Sequence, residues 1–277
     1  MAKQTIAIIH FNTPELTEAC ILSIRKQGID WPIVVFDNSA DITIPAGTDG
    51  NGPTEEIIIK SRPFKQKMKG VKVIDNTKGQ IIDFEQFLSL YPDRNRQLGV
   101  WKSSVWGSAK HIVTVQKLWE LLPDGFILVE SDTLVKRDIT ELWKEEYSFC
   151  GYVQRNQHGN KFQVPRILPM LCYMNVPLLT KEGARYFDPE RCWGLKADAN
   201  LRGNWFDTGA CLLDDVLRMR PRLKGLHVDI RPMVEHLGGA SYRTLEGQAE
   251  WLTQHRALWE TPSKPKTTKR TKSKSTK

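Results

Sequence analysis

The stretch from Ile6 to Ala40, "IAIIHFNTPELTEACILSIRKQGIDWPIVVFDNSA", constrains the fold more than any other. Two short Ile- and Val-rich runs read as buried strands. Between them Leu16, Cys20 and Ile24 recur every four residues, which places them on one helical face. Thr13 can cap that helix, Pro14 fits its first turn and Gly28 can end it. The unit is β-α-β, and the interval suits parallel strands. Further on, "VKVIDN", "GFILV" and "FCGYVQ" read as strands. "IIDFEQFLSLY", "SSVWGSAKHIVTVQKLWELL" and the short "DITELWKEE" read as helices, and the Gly- and Pro-rich "ADITIPAGTDGNGPTEE" as loop. Strands and helices alternate to about residue 150, which predicts an α/β fold with a mostly parallel sheet flanked by helices. The remainder is less regular, with helical candidates at 208–219 and 244–258 and Pro-containing loops elsewhere.

Ligands of such sheets gather beyond the carboxyl ends of the strands. Three polar clusters fall there: His10-Phe11-Asn12, Asp37-Asn38-Ser39 and Glu130-Ser131-Asp132. In extended chain Glu130 and Asp132 point the same way and Ser131 the other. Two carboxylates on one side can hold a divalent cation, or can simply be a solvated strand end. Asp37 can equally be a turn cap. The chain contains no G-x-x-x-x-G-K, G-x-G-x-x-G or G-x-S-x-G, so P-loop kinase, dinucleotide and nucleophile-elbow readings lack their signatures.

Taken together and in order, "IAIIHFNTPELTEACILSI", "VVFDNSA", the D-x-D-like "FILVESDTLV" and "EHLGGASY" resemble the GT-A glycosyltransferases, and among them the family 2-like enzymes. The resemblance spans about residues 4 to 242. It implies a nucleotide-sugar donor, UDP-linked for preference, and Mn²⁺ or Mg²⁺ as cofactor. By position it implies donor contacts from Phe11, Asn12, Thr13, Asp37 and Asn38, with Asp37 on the base or ribose, and from His111 on the helix before the acidic strand. It implies metal ligation by Asp132 and His236, with Glu130 near ribose and metal. Glu130 stands where the family usually has Asp, which makes Asp132 the stronger ligand. An inverting transferase also needs a carboxylate base, carried here by "NWFDTGACLLDDVLRM". Asp207, at the start of a helix, is preferred, with Asp214 and Asp215 as alternatives. Trp193 and Trp205 flank this region and are candidates for stacking on a sugar or base.

These features predict one catalytic unit over 1–261, with the nucleotide-sugar part at 4–150 and the acceptor part at 151–261. The final residues 262–277 hold six Lys, one Arg and no acid, nearly all of the chain's net charge of +8. This stretch has no apolar periodicity and reads as a disordered basic tail. It suits an anionic surface or DNA, or is a solubilising end without a partner. The resemblance implies a saccharide or glycoconjugate as acceptor. A hydroxylated base in DNA is the alternative, and a non-catalytic nucleotide-sugar-binding module the second alternative. Five scattered cysteines without a C-x-x-C pair argue against a disulfide framework or zinc cluster. No apolar run reaches membrane-span length, and the apolar stretch near the N-terminus is short for a signal sequence. The expected place is the cytoplasm, free or peripheral at a membrane or on nucleic acid.

Overall fold

The computed structural model describes residues 4–44, 57–84, 102–155, 164–188, 191, 208–238 and 244–260. Its centre is a seven-stranded sheet. In chain order its strands are β1 (Ile6–His10), β2 (Ile33–Asp37), β5 (Val71–Asp75), β6 (Phe126–Glu130), β8 (Phe149–Gln154), β9 (Arg166–Met174) and β10 (Gly225–His227). Across the sheet the order is β10-β8-β9-β6-β1-β2-β5. Neighbours pair in parallel except at β9, which runs antiparallel to β6 and β8. The expected α/β fold with a mostly parallel sheet is therefore present.

Burial on both faces explains the unbroken apolar strands. Ile6, Ile8, Ile33, Val35, Ile127 and Val129 pack with Cys20, Ile21 and Ile24 of helix α1 (Pro14–Lys26). Ala7, Phe36, Phe126 and Leu128 face the other way, toward Ile112, Val115 and Trp119 of helix α2 (Lys102–Leu121). That second layer is extended by α3 (Val176–Lys181) and α4 (Ala210–Arg218). Gly209 begins α4 at φ +80°, and a Cβ there would lie 2.2 Å from the Ile167 carbonyl oxygen, so only glycine lets α4 close onto β9. Helices α5 (Leu245–Gln254) and α6 (Arg256–Trp259) lie against α1. They break at His255, where one continuous helical stretch was expected.

Two small ribbons complete the description. β3 (Ile42–Ile44) pairs with β4 (Ile57–Ile59), so the expected loop 40–56 contains a strand, and 45–56 lie outside the described residues. β7 (Thr133–Val135) pairs antiparallel with β11 (Val234–His236). Other expectations are corrected as well. The helix read in "DITELWKEE" is a single 3₁₀ turn, Thr140–Leu142. The Pro-containing loop read after residue 164 is the nine-residue strand β9. Thr13 occupies the cap position of α1, but its side chain makes no capping bond. Residues 85–91 of the expected "IIDFEQFLSLY" helix and the tail 262–277 lie outside the described residues.

Cys20, Cys150, Cys172 and Cys211 are buried free thiols, as a core role requires. Burial pushes the Cys150 thiol up to about 12 and raises those of Cys20 and Cys172 further, which leaves them inert at neutral pH.

Candidate active site

The β1–β2 crossover places β2 on one side of β1, whereas β6 returns on the other. The strand order thus reverses between β1 and β6, and a crevice opens beyond their carboxyl ends. In the register His10 lies opposite Asp37 and Ile9 opposite Glu130, so all three polar clusters share one edge.

β6 ends at Glu130, and Ser131 and Asp132 form a turn into β7. The two carboxylates are therefore brought together by the turn rather than by simple strand alternation. The β7–β11 ribbon supplies the third group. His236 pairs with Thr133, and the Leu237 N–H donates to the Asp132 carbonyl at 3.1 Å. This sets His236 Nε2 3.1 Å from Glu130 Oε2 and 3.2 Å from Asp132 Oδ1. One ligand atom from each residue lies within 4.8 Å of the others. His111, on α2, approaches from the opposite side, with Nε2 3.7 Å from Glu130 Oε1.

The donor set fits a divalent cation. Two carboxylates and an imidazole are hard and borderline ligands suited to Mn²⁺, and with more waters to Mg²⁺. The electrostatics agree. Burial disfavours a charge on His236, but hydrogen bonds and charge from Asp132 and Glu130 outweigh it and raise its pKa to about 10. In the metal-free protein an imidazolium supplies the positive charge that the two carboxylates demand.

The expected donor-side residues share this edge, but several are used by the protein itself. The Asn12 amide donates to the Ala40 carbonyl and accepts from the Arg62 N–H, at φ 56°. Asp37 accepts from the Ser39 N–H at 2.9 Å and the Phe64 N–H at 2.8 Å, a turn cap that also anchors the chain near residue 64. Asn38 donates to Thr114 of α2 and accepts from Asn76 beyond β5. His10 lies beneath them. Its Nε2–H donates to the Arg62 carbonyl and its Nδ1 meets the Thr17 hydroxyl. Burial lowers its pKa and outweighs the pull of Asp37, so it stays neutral. The Thr13 hydroxyl lies 3.4 Å from that of Ser131, which joins the first loop to the acidic turn. Phe11 is half-buried beneath Lys110 Nζ, which lies 4.8 Å from its ring centre.

Sequence reasoning missed Lys110, although it adjoins His111. It also missed Arg62, whose guanidinium pairs with Glu15 and which no motif marks.

Of the proposed bases, Asp207 lies outside the described residues, as do Trp193 and Trp205. Asp214 and Asp215, the alternative bases on α4, are held in ion pairs. Arg191 binds Asp214 at 2.9 Å and Asp215 at 2.6 and 3.0 Å, and the Arg185 N–H donates to Asp215 at 2.8 Å. Burial weakens the Arg191 charge, but these carboxylates more than compensate and raise its pKa. Both carboxylates are thus occupied by contacts within the protein itself.

No protein-family model and no curated protein matches the chain. Among solved structures, the galactosyltransferase LgtC with donor and acceptor sugar analogues aligns over 94% of this chain and 98% of its own, at 12% identity and a TM-score of 0.43. An active-site mutant of LgtC aligns over the same shares at 13% identity and 0.47. The apo-form glycosyltransferase GlyE of Streptococcus pneumoniae TIGR4 aligns over 95% of this chain and 52% of its own, at 12% identity and 0.38. These values describe a partial likeness of chain path.

Proposed function

We propose that the protein is a metal-dependent glycosyltransferase that moves a sugar from a nucleotide-sugar donor to an acceptor hydroxyl. The observation that carries this reading is the convergence of Glu130, Asp132 and His236 at the point where the strand order reverses. A cation site in that crevice suits the diphosphate of a sugar nucleotide. Asp132 and His236 would hold Mn²⁺ or Mg²⁺, with Glu130 as third ligand. The bound cation supplies positive charge against which a nucleoside diphosphate can leave.

The chain's own residues would do the rest. Phe11 offers an aromatic face for the base, and the loops tied by Asn12, Asp37 and Asn38 shape the pocket around it. Transfer forms a bond from the acceptor oxygen to the anomeric carbon and breaks the bond from that carbon to the diphosphate. The hydroxyl proton passes to a carboxylate, for which Asp207 remains the proposed base of an inverting reaction. A UDP-sugar donor and a saccharide or glycoconjugate acceptor complete the proposal.

The test is donor turnover with UDP-, GDP- and TDP-sugars in Mn²⁺, in wild type and in Asp132→Ala. One donor should be consumed, and the variant should lose at least about 100-fold, the scale of a removed charge-stabilising group. Full activity in Asp132→Ala, or activity unaffected by chelation, would refute the metal role.

A further inference from the structure

Glu130 stands where the resembled motif carries a shorter acid, and the structure gives its extra methylene a use. The carboxylate lies between two imidazoles on different elements. Oε2 is 3.1 Å from His236 on β11, and Oε1 is 3.7 Å from His111 on α2. β11 reaches the site through its pairing with β7, beyond the strand end, whereas α2 covers the sheet face. A side chain that meets both must extend from the last residue of β6 across the gap, and an aspartate would be one carbon short.

The geometry points to His111 as a positioning residue for the cation site. His111 holds Oε1 of Glu130, so that Oε2 is presented with Asp132 and His236 to the cation. His111 itself stands outside the three-residue ligand cluster and acts through Glu130. At 3.7 Å it is within ion-pair range of the carboxylate, beyond hydrogen-bond distance. Partners of this kind fix the orientation of a ligating group, and their loss typically weakens metal affinity about 10- to 100-fold. This assignment rests on the cation reading above. It moves His111 from donor contact to metal-site support, and it makes Glu130 a working ligand rather than a degenerate motif position.

The experiment is titration of the full-length protein with Mn²⁺ alone, read by the electron paramagnetic resonance signal of free Mn²⁺, without nucleotide. His111→Ala should weaken Mn²⁺ binding about 10-fold or more. His111→Gln, which keeps an N–H donor, should recover part of that loss. Glu130→Asp should weaken binding in the wild-type background and weaken it by a smaller factor in His111→Ala, because there only the shortening of the ligand itself remains. Thermal unfolding of each variant confirms that the comparison is between folded proteins. Wild-type Mn²⁺ affinity in His111→Ala, or full additivity of the two substitutions, would overturn the inference. If UDP affinity alone fell in His111→Ala, the residue would be a donor contact and the inference would fail while the cation reading stood. If wild type bound no Mn²⁺, or Asp132→Ala bound it unchanged, the cation reading itself would fail.

Discussion

Asp37 allows the sharpest contest between two readings of one residue. The sequence resemblance makes it a ligand contact, whereas the structure gives its carboxylate to the protein. It is almost fully buried and accepts two backbone N–H groups, from Ser39 at 2.9 Å and Phe64 at 2.8 Å. Asp37→Ala would leave both donors buried without a partner, at about 1–3 kcal/mol each. A loss of about 3–5 kcal/mol is expected, a large part of the stability of an ordinary domain. Asp37→Asn keeps one acceptor but turns an NH₂ group toward the other N–H, so about half that loss should follow. His10, 3.9 Å from Asp37 Oδ1, would lose an interaction that favours its charge and remain neutral. Urea unfolding of the full chain gives the order, with midpoints falling from wild type through Asn to Ala at unchanged slope. If Asp37→Ala unfolded within 0.5 kcal/mol of wild type while nucleotide affinity fell about 10-fold, the ligand reading would win and the turn-cap reasoning would be wrong.

Two further outcomes can be checked on the same protein. Arg191→Met removes the cation between Asp214 and the buried Asp215, and should cost about 3 kcal/mol in urea unfolding, the low end for breaking a buried pair because Asp214 keeps Arg218. The metal-free protein should also lose stability as pH rises. His236 has a folded pKa of about 10, above its ordinary value, so its contribution is complete below about pH 6.5 and vanishes as pH passes 10. The thermal midpoint of chelator-treated protein should fall from pH 7 to 10, and the fall should shrink in His236→Gln.

The front of the chain was legible because local and global signals agree there. Ile6–Asp37 has strand periods, a helical face, a Pro start and a Gly stop, and all were realised. The acidic pair and His236 were legible as a set because their order along the chain matched a known pattern. β9 was hidden by Pro169, which normally argues against a central strand. In the structure Pro169 lies where the β8–β9 pairing shifts register, and beyond the last β6–β9 pair at Leu171. It therefore removes no ladder bond. The partners of Asn12, Asp37 and Asn38 were hidden for another reason. Each is set by loops from distant parts of the chain, and no local pattern encodes that meeting. The ion pairs of Asp214 and Asp215 were hidden because their counterion, Arg191, lies more than twenty residues upstream.

The β7–β11 ribbon has a kinetic meaning as well. It joins residues 133–135 to residues 234–236, two segments about a hundred positions apart, through only three paired residues on each side. Closing so long a loop is entropically costly, and so short a ribbon is a weak tie by itself. A cation held by Asp132 and His236 would act as a clip across that loop. Metal uptake should therefore coincide with the last step of folding, and a chain growing from its N-terminus would remain without a site until residue 236 had been made.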